Sequence, residues 1–434
     1  YATLRDHTPV QIFPRDIDYT EWETLRKYPL LNWNMGMVYN LRESDERIYP
    51  QGELGRRTIG LTGDRGNYGI AAVNREEVAG RDGRATRQRI AGGFYGRVVD
   101  GDNIDPIDGL DVVTTLDLDV QDVANRYLRE QLEAQNAIWG TTIVMEVRTG
   151  EILALVNLGR TPGGGYAERE NYAIGRNTEP GSTFKLASML LLLDDADMPL
   201  DQTYDTGNGR VVKVGGIRVQ DSHAGFNDMD FRTAVAQSSN VYFAKAIWER
   251  YADNKERYSD FMKKLHLDQT VGLEAFGEKK PLFQDWKEVP DPNSMLVRRS
   301  FGYRIKLSPI QVITLYNAIA YDGKMSSPIL VRELRRDGDV VKHFKTQTLV
   351  DKVCSERTLR EVRKLLESVG TEGTGAGFFR DTTLYTVAAK TGTAQYADDK
   401  IGYRDGYYIG SMVAYVPAHH PRDPVLPTIP PKPT

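Results

Sequence analysis

Glu179-Pro180-Gly181-Ser182-Thr183-Phe184-Lys185, running on through Leu186-Ala187-Ser188-Met189-Leu190-Leu191-Leu192-Leu193, is the stretch that decides the fold. From Ser182 to Leu193 the chain is apolar on nearly every side, which predicts a helix buried within a domain. A serine opens that helix and a lysine follows three residues later, on the same face. The partial positive charge of a helix N-terminus and burial both disfavour an ammonium, so Lys185 is a plausible base. A serine hydroxyl is a weak nucleophile until such a base removes its proton. A capping serine ahead of a surface lysine would explain most matches of this kind. Here, however, Ser182 is the only serine with a lysine three residues on. An idle charge inside so apolar a helix would also be costly.

Two further elements bear on the same chemistry. Ser238-Ser239-Asn240 interrupts a helical pattern with three small polar residues, which favour a local turn over continuation. Alone it is as readily a capped corner between helices; functionally, Ser238 could relay a proton and Asn240 could hold a substrate amide. Lys390-Thr391-Gly392-Thr393 ends a strand expected from Thr383. A cation beside hydroxyls suits a carboxylate, and Gly392 admits close backbone approach. As a lone tripeptide it would read as a strand running into a turn. Together the three are far more specific, occurring once each and in the order 182, 238, 390.

Working outward, Thr114-Thr115-Leu116-Asp117 leads into Val120, Val123, Ala124, Tyr127, Leu128 and Leu132 at helical spacing, with an Asp placed to cap. Thr141 to Val147 and Glu151 to Asn157 flank Arg148-Thr149-Gly150 as a β-hairpin, Gly150 supplying the positive φ. Tyr407 to Val416 reads as another strand. Helices lie between these segments, giving an α+β domain whose sheet joins early and late parts of the chain. Residues 1–108 are polar and broken by glycine and proline, with short strand-like pieces such as Met37-Val38-Tyr39 between turns such as Gly63-Asp64-Arg65-Gly66. They predict a small irregular module ahead of a domain spanning 109–434. Asp423-Pro424 through Pro431-Lys432-Pro433-Thr434 is proline-rich and is expected to be a tail, not a central strand.

Composition narrows the field. With 434 residues, 40% hydrophobic and 27% charged, this is a globular chain of two or more domains. A net charge of -4 with dispersed basic residues gives no electrostatic case for nucleic acid. Cys354 is the sole cysteine, which rules out an intrachain disulfide and a thiolate metal cluster. His419-His420 lacks a partner at ligand spacing and reads as two surface histidines. Gly370-Thr371-Glu372-Gly373-Thr374-Gly375 lacks the residues of a phosphate loop and reads as an ordinary connection. No apolar run approaches a membrane span, and Tyr1 stands where an initiator Met would be, so the chain reads as a fragment without its natural beginning.

These motifs resemble those of class B penicillin-binding proteins, the monofunctional peptidoglycan DD-transpeptidases. The resemblance covers most of the chain, including Thr114 to Asp117, Val144-Met145-Glu146, Thr149 to Ala154, Glu179 to Ser182, Ser308-Pro309 with Gln311, and Asp322-Gly323-Lys324. Arg47 to Pro50, Thr58-Ile59-Gly60 and Gly80-Arg81-Asp82-Gly83 are similar to the family's N-terminal pedestal. Asn240 resembles the division-specific septal enzyme, and Ser300-Phe301-Gly302-Tyr303 a Bacteroidota-type version of it. The resemblance implies a penicillin-binding transpeptidase domain: an antiparallel sheet flanked by helices, like that of serine β-lactamases, above a smaller irregular pedestal. It implies Ser182 as nucleophile, Lys185 as base and Ser238 as proton relay. Asn240, Lys390, Thr391, Gly392 and Thr393 would bind substrate, and the backbone N–H groups of Ser182 and Thr393 would form the oxyanion hole. No cofactor or metal is implied. Peptidoglycan stem peptides and β-lactams are the implied ligands, with a membrane glycosyltransferase and other division proteins as partners. The implied location is the inner membrane, anchored by an N-terminal helix outside this chain, with the catalytic domain in the periplasm. In the family a further strand and a closing helix follow the position of Arg422. A β-lactam sensor or silent division scaffold is the rival reading, and a serine β-lactamase or carboxypeptidase a more distant one.

Overall fold

A computed structural model describes residues 47–62, 66–84, 87–89, 95–97, 104–379, 385–398, 402–419 and 423–429, with five positions between 21 and 28. Met37-Val38-Tyr39, Thr383 and the turn at 63–65 lie outside these residues. Compactness divides the chain into Tyr1–Pro50 and Gln51–Thr434, earlier than the change of sequence pattern at Gly109. No helix among the described residues is long and apolar enough to cross a membrane.

The elements that position the site are, in chain order, β1 (Asp111–Thr114), α1 (Leu118–Ala134), β2 (Trp139–Met145), β3 (Ile152–Arg160), β4 (Tyr166–Ala167), α2 (Lys185–Leu190), α3 (Phe231–Ala236) and α4 (Asn240–Tyr251). They continue with α5 (Pro292–Arg299), α6 (Pro309–Ala320), β5 (Val331–Arg336), β6 (Asp339–His343), α7 (Glu356–Thr371), β7 (Ala388–Asp398), β8 (Gly402–Val416) and β9 (Asp423–Ile429). The principal sheet is antiparallel in the order β7-β8-β9-β2-β3-β4, so the hairpin at Gly150 and the C-terminal strands share one sheet. A smaller sheet runs β6-β5-β1.

Both faces of the large sheet are covered, which is why β2 and β3 read as apolar runs and not as clean alternation. Val156 and Leu158 meet Leu128 and Leu132 of α1 on one face. Ile143 and Leu155 face the main core with the helix from Phe184 onward and with α6. Asp117 starts α1 by accepting from the N–H groups of Asp119 and Val120 at 3.0 and 3.1 Å. β4 is too short to reach Leu155, and the side chain of Gln121 satisfies that residue's N–H and C=O instead. At the head of α6 the Gln311 side chain accepts from the Ser308 N–H at 2.8 Å, and Pro309 occupies the first turn, where no N–H is needed.

The buried helix is present but not uniform. Gly181–Phe184 is a 3-10 turn, Lys185–Leu190 is α-helical and Leu191–Asp195 widens to a π turn. Every residue from Thr183 to Leu193 is buried.

Two expectations are corrected. Lys390-Thr391-Gly392-Thr393 does not end its strand but lies in the first half of β7, which runs on to Asp398. The proline-rich C-terminal segment is not a tail: Asp423–Ile429 pairs on both sides, with β8 and with β2. Residues 430–434 lie outside the described chain. Neighbouring strand residues direct their N–H groups to opposite sides, and Pro424 and Pro427 are three apart. The missing donors therefore fall one on each flanking ladder, so neither loses two.

Gly302 (φ 88) is required by close approach: a Cβ there would stand 1.9 Å from the carbonyl oxygen of Gly181, while the Gly181 N–H donates to the Gly302 carbonyl at 3.1 Å. Gly302→Ala is expected to cost at least the ~1–3 kcal/mol of a non-glycine left-handed residue. It should lower the melting temperature in a thermal unfolding scan, and an unchanged temperature would contradict the contact.

Candidate active site

The 3-10 turn brings Ser182 to the surface of the domain and leaves Lys185 beneath it, completely buried. Lys185 Nζ lies 3.0 Å from Ser182 Oγ, 2.8 Å from Asn240 Oδ1, 2.6 Å from the Ser238 carbonyl and 3.1 Å from Ser238 Oγ. A neutral amine has two N–H donors and one lone pair. The two shortest contacts are to acceptors without a proton, so they use the donors and leave the lone pair for the Ser182 hydroxyl. Burial, first, and the nearby charge of Lys390, second, push the Lys185 ammonium well below the usual lysine range, against a smaller opposing pull from Asp221.

Lys390 enters from β7. Its Nζ donates to Ser238 Oγ at 2.8 Å and to the Thr391 carbonyl at 3.0 Å. Burial alone lowers its ammonium to about 7. Ser238 Oγ thus sits between two amines. Its backbone is held at φ 56, a conformation serine rarely adopts, which stores strain at this point of the site.

The turn at Ser238 is fixed by a residue that belongs to none of the motifs. Asp221 accepts from the Ser239 hydroxyl at 2.7 Å and from the N–H groups of Asn240 and Val241 at 2.6 and 2.9 Å. One carboxylate therefore caps the N-terminus of α4, with Ser239 Oγ accepting the N–H of Tyr242 at 3.0 Å. The segment around Asp221 carries no periodicity, and only the fold reveals the burial of that acid.

On β7 the motif alternates. Lys390 and Gly392 face inward, where a Cβ on Gly392 would meet Thr183 Cγ2 at 2.9 Å, while Thr393 is exposed. A Cβ built on Gly181 would stand 3.0 Å from the Thr393 carbonyl oxygen, so that carbonyl faces the nucleophile turn. An antiparallel residue directs N–H and C=O to the same side, and β7 is the sheet edge. The Thr393 N–H accordingly points at the same slot as the first N–H groups of the Ser182 turn, which lack acceptors within the turn itself. The residues singled out from sequence are brought to one cleft: Ser182, Lys185, Ser238, Asn240 and Lys390 in one hydrogen-bonded cluster, and Thr391 to Thr393 along its rim.

Glu179, three residues before the serine, is occupied elsewhere. It accepts from the Arg304 N–H at 2.8 Å and from the Tyr403 hydroxyl at 2.9 Å to each oxygen, and burial raises its carboxyl above the usual range. Tyr303 accepts from the Gln395 N–H at 3.2 Å and packs obliquely on Tyr403, closing one end of the cleft. From sequence, Glu179 and Tyr303 belong to family-like stretches without a role of their own, and Tyr403 was not singled out. His419 is exposed beside Glu367, and His420 lies outside the described residues. Among the described residues no three His, Cys, Asp or Glu side chains are grouped to hold a metal.

This arrangement can deprotonate a serine, hold a developing oxyanion and meet an anion on the far side. Residues 140–430 match the penicillin binding protein transpeptidase domain. The chain is 30% identical over 399 residues to the probable peptidoglycan D,D-transpeptidase PenA of Neisseria meningitidis, covering 88% of this chain and 64% of that protein. It is 27% identical over 399 residues to the peptidoglycan D,D-transpeptidase FtsI of Escherichia coli, covering 88% of this chain and 62% of that protein. The chain thus spans less than two thirds of these curated relatives. In architecture it is similar to penicillin binding protein 3 of Mycobacterium tuberculosis complexed with aztreonam, with a TM-score of 0.73 at 23% identity over 89% of this chain and 84% of that one.

Asp221→Ala removes three accepted bonds, two of them at the start of α4. It is expected to cost about 2–3 kcal/mol by denaturant unfolding. Asp221→Asn, which keeps one acceptor oxygen, should cost less; equal stability of Asp221→Ala and wild type would show the cap to be idle.

Proposed function

The chain belongs to the penicillin-binding protein transpeptidase family, and from that premise we propose that it is a serine-type D-Ala-D-Ala transpeptidase that cross-links peptidoglycan stem peptides. The observation that carries this reading is the 3.0 Å contact between Ser182 Oγ and a lysine amine whose proton affinity burial lowers.

In the first step Lys185 Nζ takes the Ser182 proton as Oγ bonds to the carbonyl carbon of the penultimate D-Ala. The oxyanion is held by the N–H groups of Ser182 and Thr393. The bond to the terminal D-Ala nitrogen breaks, the proton reaches that nitrogen through Ser238 Oγ, and free D-Ala leaves. An amine of a neighbouring stem then attacks the ester, forming the cross-link and returning the proton to Ser182. Asn240 steadies the stem peptide, and Lys390 with the Thr391 and Thr393 hydroxyls meets the terminal carboxylate, Gly392 letting the backbone approach. β-Lactams acylate the same serine. Similarity to FtsI supports a septal role, with a membrane glycosyltransferase and other division proteins as partners. It also supports a catalytic domain outside the inner membrane, and residues 1–108 serve this domain as a pedestal.

A labelled penicillin should attach to Ser182, located by peptide mass spectrometry, and stay attached for hours; no adduct, or equal labelling of Ser182→Ala, sinks the assignment. Rapid loss of the label would favour a hydrolase, and absence of cross-linked product from stem peptides with a stable adduct would favour a sensor.

The two lysines predict opposite pH limbs. Acylation efficiency rises with pH as Lys185, depressed by burial, sheds its proton. It falls again above about 7 as Lys390 loses the charge that meets the carboxylate. The alkaline limb should vanish in Lys390→Ala, and the acid limb should move to higher pH because the Lys390 charge no longer depresses Lys185, at a much lower rate throughout.

A further inference from the structure

The glycine-rich segment 370–375 is not only a connection: Gly370 and Thr371 close α7. Gly370 lies against the residue before β7, where a Cβ would stand 2.5 Å from the Val387 carbonyl oxygen. Gly373 lies against the turn before Ser238, where a Cβ would stand 2.4 Å from the Ala236 carbonyl oxygen. The Thr374 N–H donates to that same Ala236 carbonyl at 3.1 Å. Only backbone fits at both glycines, so the end of α7 and the connection after it are pressed against the chain entering β7 and against the end of α3. From that clamped position Thr374 Oγ1 reaches Thr391 Oγ1 at 2.6 Å, and the pair is only partly buried.

Building on the transpeptidase reading, we propose that Thr374 is a positioning residue for recognition of the substrate carboxylate, acting through the Thr391 hydroxyl. A hydroxyl carries one proton, and two hydroxyls in contact compete over which of them donates. When Thr374 donates to Thr391 Oγ1, the Thr391 proton is free and is aimed away from Thr374, toward an anion at the rim. When Thr391 donates to Thr374 instead, the rim is left facing the anion with lone pairs. An incoming carboxylate selects the first arrangement, and a donated bond from Thr374 strengthens the one Thr391 gives in turn. Because the Ala236 carbonyl fixes the Thr374 backbone, this direction is set by the same loop that braces the turn carrying Ser238. Thr374 touches no reacting atom; its effect is on binding, not on the bond-making step.

The test compares a labelled penicillin with its carboxylate methyl ester on the whole chain, reading the binding constant and the limiting acylation rate separately. Thr374→Val is expected to weaken binding of the free acid about tenfold, the loss of one hydrogen bond near a charge, with the limiting rate and the ester's acylation unchanged. Thr374→Ser should restore the acid to near wild type. Thr374→Ala, which adds no methyl beside Ala236, should reproduce the valine result if the hydroxyl is what matters. In a Thr391→Val background, Thr374→Val should have no further effect. An equal fall for acid and ester, a fall confined to the limiting rate, or an additive double variant overturns the proposal while leaving the enzyme reading intact. Absence of any Ser182 adduct on wild type overturns both.

Discussion

The catalytic half of this molecule depends on one amine being kept out of water. Lys185 is useful as a base only while uncharged, and in solution its proton would leave only near pH 10.4. The apolar helix from Phe184 to Leu193 supplies the dry surroundings. The same helix fixes the i, i+3 relation that puts Ser182 on the lone pair. Dryness alone would leave the amine's two donors unpaired, a cost comparable to that of burial itself. The Ser238 carbonyl and Asn240 Oδ1 take them, and neither is available unless the chain turns sharply at Ser238. The strained φ of 56 there, and the carboxylate of Asp221 that holds the following helix start, are consequences of that demand.

Placing a second lysine at the same hydroxyl looks at first like a mistake. Two ammonium groups that meet one hydroxyl oxygen at 3.1 and 2.8 Å would repel by at least about 3 kcal/mol at an effective dielectric of 20. The repulsion is what separates their tasks. Burial first and the Lys390 charge second depress Lys185, whereas burial alone depresses Lys390. Lys390 is held at about 7 and Lys185 well below the usual lysine range. In the proposed mechanism one serves as base and the other as cation, bridged by the hydroxyl of Ser238, which touches both. In the proposed mechanism a proton passing between the two amines goes through that oxygen.

Much of this was legible in the sequence because it rests on local spacing. Ser182 and Lys185 share a helix face, Asp117 caps α1, and Gly150 turns a hairpin; each is a relation within a few residues. The relations that failed to show are those set by distant partners. Asp221 looks like any loop acid until Ser239, Asn240 and Val241 are folded onto it. Lys390 appeared to end a strand because Gly392 follows, yet β8 continues to pair past it as far as Asp398. Two prolines argued against a strand at Asp423–Ile429, and counting prolines missed that their parity spreads the lost donors over two ladders. The glycines at 370–375 read as a loop, yet Gly370 and Thr371 close α7, and nothing in their spacing says that Gly370 meets the Val387 carbonyl and Gly373 the Ala236 carbonyl.

Backbone sets much of the width of the cleft. Gly302 lies against the Gly181 carbonyl and Gly181 against the Thr393 carbonyl, at distances that leave no room for a Cβ to be added freely, while Gly392 lies against the side chains of Ser411 and Thr183. Side-chain contacts yield by rotamer changes at modest cost, whereas backbone segments in contact move only together. A slot walled in this way holds the N–H groups of Ser182 and Thr393 at one separation whatever occupies the rim, which is what preorganised stabilisation of an oxyanion demands. It follows that variation in what the site accepts has to be written elsewhere, in Asn240, in Tyr303 against Gln395 and in the hydroxyl pair at the mouth of β7, where side chains and not backbone form the surface.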